Sequence, residues 1–106
     1  MGQRERRFCR LYEANFRPVQ AYAVNLARSD DVADVVAEVF MIAWRRLADV
    51  PPPPHDRFWL YGTARRVIAK RYRSARRRHN LLGRLAAEQR PKVQAVEWAD
   101  GSARAR

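Results

Sequence analysis

Cysteine, glycine and strand-type alternation are all scarce in this 106-residue chain. A single cysteine, Cys9, allows no internal disulfide and no cysteine-based zinc site, and it suits a reducing compartment. It reads as a small residue filling a helix face. The four glycines build no phosphate-cradling loop, and no Gly-x-Ser-x-Gly is present. The two histidines are His55, in a proline loop, and His79, at the end of an arginine run. Neither has a Ser or Cys nucleophile partner in sequence, so the reading is not an enzyme, with no cofactor and no metal. No apolar run approaches the roughly 20 residues that span a bilayer. The opening MGQRERRFCRLY lacks the apolar stretch of a secretory signal. Arg6 stands where a myristoylation signal has Ser or Thr. A cytoplasmic location follows as an expectation. With strand periodicity missing, the expected fold class is all-α, a compact bundle of three to four helices with a flexible C-terminal tail.

Acidic residues are also nearly missing from one third of the chain. Residues 57–92 hold twelve basic groups and one acid, Glu88, whereas residues 1–56 hold eight of each sign. The whole net charge of +11 therefore sits on one stretch. Such a concentration is the electrostatic footprint of a polyanion-binding surface, most often for nucleic acid. A merely solvated helix face is the alternative, but such faces usually mix both signs.

Along the chain, apolar residues recur at helical spacing from Arg4 to Ala27: Phe8, Leu11, Tyr12, Phe16, Val19, Tyr22, Ala23 and Leu26. Pro18 interrupts this run, and proline is tolerated in a first turn but not inside a helix. The expectation is one helix or two short ones, with a break near 15–17 and a restart at Pro18. RSDD at 28–31 is a start signal, with Ser29 or Asp30 able to cap the next helix and Asp31 and Asp34 favoured at its positive end. That helix is expected to reach Leu47, with Val32, Val36, Val39, Phe40, Ala43 and Leu47 facing the core. Four prolines in ADVPPPPHD then form a stiff connector. A last long helix is expected from about Asp56 to Asn80, and NLLGRLAAEQR suggests a further short one.

Two of these helices carry a second face. At 100° per residue, Leu60, Tyr61, Ala64, Val67, Ile68 and Ala75 share the core side of the last helix. Arg65, Arg66, Lys70, Arg73, Arg76 and Arg77 lie opposite, with Phe58 and Trp59 at the head of the basic side. Arg71 and Arg78 fall on the core side, Arg71 placed to snorkel or to pair with a carboxylate of another helix. Cations track phosphates, and exposed rings stack on unpaired bases. The pattern thus points to single-stranded or melting nucleic acid; the alternative has the two rings folding under the proline loop. On the preceding helix, Asp34 and Glu38 stand four apart and repel, with Met41, Ile42 and Arg45 beside them. A basic, partly apolar partner would relieve that repulsion; dipole compensation and pairing with Arg45 is the plainer account. A membrane-surface helix is disfavoured, because the apolar arc is needed for the core.

In this order, LYEANFRPVQAYAVNLA, DVADVVAEVFMIAWRRL and RFWLYGTARRVIAKRYRSARRR resemble region two of bacterial RNA polymerase sigma factors of the extracytoplasmic-function group, over about residues 8–80. The resemblance implies that the acidic helix docks on the clamp helices of the largest subunit of core RNA polymerase. Asp34 and Glu38 match the motif's acidic positions, and Phe40 and Trp44 its aromatic ones. It further implies that the last helix and the loop before it capture the melted non-template strand of the minus-ten promoter element. The matching base-capture loop comprises Val50, Pro51, Pro52, Pro53, Pro54, His55 and Asp56. An anti-sigma factor is a further partner that the sequence leaves open. The chain departs from the family at Arg66, Lys70 and Ala37, and in the four prolines of the loop. Residues 1–80 read as the region-two-like domain and 81–106 as a linker-like or disordered tail. The second family domain, region four, is absent from this sequence. A transcription initiation module is the leading expectation. A truncated fragment acting as a polymerase-binding decoy, or a nonspecific nucleic-acid-binding protein, is the alternative.

Overall fold

Helical periodicity dominates the sequence, and helices are what form. The computed structural model describes residues 2–86. Its elements are α1 (Gln3–Leu26), a 3₁₀ turn at Ser29–Asp31, α2 (Val32–Arg45), a second 3₁₀ turn at Leu47–Asp49, and α3 (His55–Ala86). The expected all-α bundle is found, with three α-helices and no strand among the described residues. The chain divides into two units, Met1–Ile68 and from Ala69 onward.

The first unit contains the core. Leu11, Val19 and Ala23 of α1 are buried, as are Val35, Val36, Val39, Phe40 and Ala43 of α2 and Leu60, Ala64, Val67 and Ile68 of α3. Each helix buries one stripe at its 3.6-residue period. Val35 takes the place expected of Val32, which is half-buried in the first turn of α2. Leu47 is buried as expected, but from the 3₁₀ turn beyond the helix end.

The expected break at Pro18 does not occur, because α1 runs through it unbroken. Proline removes the N–H that would bond the carbonyl four residues back and crowds that carbonyl, at about 3 kcal/mol or more. Here that carbonyl belongs to Ala14, and it accepts a hydrogen bond from Arg57 Nη2 at 3.0 Å. A side chain of α3 therefore supplies the donor that the proline withholds.

The start of α2 also differs from expectation. Asp31 occupies the N-cap position and makes no side-chain capping bond. The chain instead enters through the 3₁₀ turn, where the Asp31 N–H donates to the Arg28 carbonyl at 2.8 Å and the Val32 N–H to the Ser29 carbonyl. At the other end, Arg7 of α1 donates to the Leu47 carbonyl at 2.7 Å and to the Val50 carbonyl. These two bonds tie α1 to the 3₁₀ turn that follows α2.

In the second unit, α3 continues past Asn80 and through Gly83 to Ala86. None of residues 69–86 is buried, and Leu81, Leu82 and Leu85 are largely exposed. The rest of the expected tail, 87–106, lies outside the described residues.

Candidate functional site

The acidic stripe of α2 reaches solvent. Asp34, Met41 and Arg45 are exposed, while Glu38 and Ile42 are half-buried. Spacings of four and seven residues keep Asp34, Glu38, Met41 and Arg45 on one side of the helix. Met41 and Arg45 also line an apolar groove of about 470 Å³, together with Ala37, Phe40 and Trp44 of α2 and Phe8 and Tyr12 of α1. Asp34 and Glu38 are not among the lining residues.

The walls of this groove are a network of rings. Phe8 meets Trp44 edge-on at 5.4 Å, and Tyr12 meets Phe40 edge-on at 4.8 Å. Edge-to-face pairs of this kind add to the stabilisation from burial. The Arg4 guanidinium lies 3.9 Å from the centre of the Trp44 ring and donates to the Trp44 carbonyl. Phe8 and Tyr12 belong to the helical repeat read in α1. Phe8 is half-buried and Tyr12 is exposed. Their i, i+4 spacing was legible, but their adjacency to Met41 and Trp44 depends on how α1 meets α2.

The head of α3 separates two rings that the helical projection placed together. Phe58 is 68% exposed and meets Tyr61 edge-on at 6.5 Å. Tyr61 in turn stacks on Tyr22 of α1, with centroids 4.4 Å apart. Trp59 is half-buried, with the Arg46 guanidinium 5.7 Å from its ring centre. Farther along, Arg65 and Arg66 are exposed in the first unit, and Lys70, Arg73, Arg76 and Arg77 in the second. Thr63 Oγ1 donates to the Trp59 carbonyl at 3.0 Å and accepts from Arg66 Nη2 at 3.3 Å. Arg77 Nη2 donates to Ser74 Oγ at 3.2 Å. Arg71 is half-buried and Arg78 exposed.

The loop between α2 and α3 is anchored at its ends and free between them. Val50 and Asp56 are buried, Pro51 is half-buried, and Pro52, Pro53, Pro54 and His55 are exposed. The Pro53–Pro54 peptide bond is cis. The His55 N–H donates to the Pro52 carbonyl at 3.0 Å, and His55 and Asp56 already belong to the first turn of α3. Sequence reasoning missed the polar ring behind this turn. Buried Asn15 of α1 donates through Nδ2 to Asp56 Oδ2 at 3.4 Å, and its Oδ1 accepts from Arg57 Nε at 2.8 Å. Among the described residues, no three His, Cys, Asp or Glu side chains are grouped to hold a metal ion. No helix described is long and apolar enough to cross a membrane.

Among the described residues the fold is all-α, with an acidic stripe exposed on α2 and basic residues exposed on α3. The family model for sigma-70 region 2 matches residues 11–78. The chain belongs to the sigma-70 region 2 family, whose domains bind core RNA polymerase and recognise the promoter minus-ten element. Neither the curated proteins nor the solved structures contain a match to the chain.

Proposed function

We propose that this chain is the region-two module of an extracytoplasmic-function sigma factor. Asp34, Glu38, Met41, Ile42 and Arg45 face the clamp helices of core RNA polymerase. Phe58, Trp59, Arg65, Arg66, Lys70, Arg73, Arg76 and Arg77 take the melted non-template strand, and residues 50–56 form the loop that receives a base. The observation that carries this reading is the combination of surfaces within the family-matched span: an acidic stripe beside an apolar groove on α2, and basic residues exposed along α3.

The exposure of Phe58 refines the strand side. A ring that is 68% exposed at the head of a basic helix has a face free for an unpaired base, and base–aromatic stacking contributes about 1–3 kcal/mol per base. Trp59 is half-buried, with the Arg46 guanidinium over its ring, and offers the strand less open surface than Phe58. Two measurements test this. Binding to a single-stranded promoter oligonucleotide should weaken steeply with salt. Phe58→Ala should weaken single-strand binding about tenfold at constant salt and leave duplex binding unchanged. Equal losses on both forms would contradict base stacking.

A further inference from the structure

The loop of residues 50–56 is tied to α1 at both ends. Arg7 holds its start through the Leu47 and Val50 carbonyls. Its far end is held by a closed ring of hydrogen bonds. Arg57 Nε donates to Asn15 Oδ1 at 2.8 Å, Asn15 Nδ2 to Asp56 Oδ2 at 3.4 Å, and the Arg57 N–H to Asp56 Oδ1 at 2.8 Å. Asn15 is 1% exposed and Asp56 6%, so the bond between them is sheltered from water, while the two bonds donated by exposed Arg57 are part-buried. Asn15 Nδ2 is further fixed by the Leu11 carbonyl at 3.0 Å.

The second arm of the Arg57 fork reaches the Ala14 carbonyl at 3.0 Å. That acceptor is available because Pro18 has no N–H to occupy it. Pro18 thereby leaves on α1 an acceptor that the Arg57 side chain uses. Arg57 is the residue between Asp56, at the end of the loop, and exposed Phe58, and its backbone N–H is bonded to Asp56 Oδ1. A lysine would carry the same charge but not the planar fork that serves two acceptors.

We propose that Arg57 is a positioning residue for base capture: its fork, seated on Asn15 and the Pro18-exposed Ala14 carbonyl, fixes the loop of residues 50–56 and Phe58 in the pose that receives an unpaired base. This rests on the strand-binding reading above. Arg57 acts through its neighbours and directs its donors to α1 rather than to phosphate.

The test compares a random-sequence single strand with an abasic strand of the same length and charge, bound to the full chain. The ratio of the two affinities isolates base contacts, because phosphate attraction and folded fraction affect both strands alike. The unsubstituted chain should prefer the strand with bases about tenfold. Arg57→Lys should bring this ratio close to one with the salt slope unchanged. In Pro18→Ala the N–H of residue 18 returns to the Ala14 carbonyl and competes for it. Arg57→Lys should therefore cost less of the ratio in that background, a non-additivity expected of residues sharing one acceptor. A wild-type ratio in Arg57→Lys would overturn the proposal, as would equal losses with and without Pro18. A ratio near one in the unsubstituted chain would instead overturn the strand-binding reading beneath it, and is told apart because no substitution is involved.

Discussion

Residues 1–68 and 69–86 share the helix α3 but hold it by different means. Fourteen apolar side chains are buried between Leu11 and Ile68, whereas no described residue from Ala69 to Ala86 is buried. The first stretch is helical because a stripe must face a core. The second is helical without a buried face, through residues such as Ala, Arg, Lys and Leu that favour the helix intrinsically. It does so against its own charge, for Lys70, Arg73, Arg76 and Arg77 recur at three- and four-residue spacing with no acid between them. Like charges at such spacing repel by a few tenths of a kcal/mol per pair. On the proposed strand-binding reading, a polyanion laid along this stretch would remove that repulsion. The packed part carries the core, and the unpacked part is helical despite the repulsion among its own cations.

The comparison breaks most visibly in the core. Leu60 is fully buried, so Leu60→Ala should destabilise the first unit by about 2–5 kcal/mol, read from the denaturant midpoint. Leu82→Ala, at an exposed position, should stay within about 0.5 kcal/mol. A comparable loss at both positions would erase the distinction.

Charge sharpens it next. Replacing Arg73, Arg76 and Arg77 together by Gln should lower the slope of log affinity against log salt by about 2, at roughly 0.7 per single-strand phosphate contact. The melting temperature of the first unit should not fall. An unchanged slope would mean that these cations touch no phosphate. The smallest effect is expected at Gly83, inside α3 with open space where a side chain would go. Gly83→Ala should strengthen the local helix by about 1 kcal/mol, seen as slower amide exchange around residues 79–86.

Much of this division was legible in sequence. The three helices follow from periodicity, and the basic face from charges at helical spacing. The uninterrupted α1 was not legible, because the group that compensates Pro18 is Arg57, 43 residues from the carbonyl it serves. The start of α2 misled because Ser29 and Asp30 have capping chemistry, yet the backbone closes a 3₁₀ turn instead. Phe58 and Trp59 looked equivalent in projection, and only Arg46 and Tyr61, brought in by the fold, tell them apart. The groove escaped detection for the same reason, since its two walls come from different helices. Surfaces made by one helix were readable; those made by two required the packing.

The central claim is that the α2 face docks on core RNA polymerase, and co-elution of the chain with core enzyme tests it most directly. The unsubstituted chain should co-elute, and Asp34→Arg with Glu38→Arg should abolish co-elution while leaving the circular dichroism spectrum unchanged. A folded chain that fails to co-elute, or a reversal that binds as well as the original, would contradict the assignment of this face.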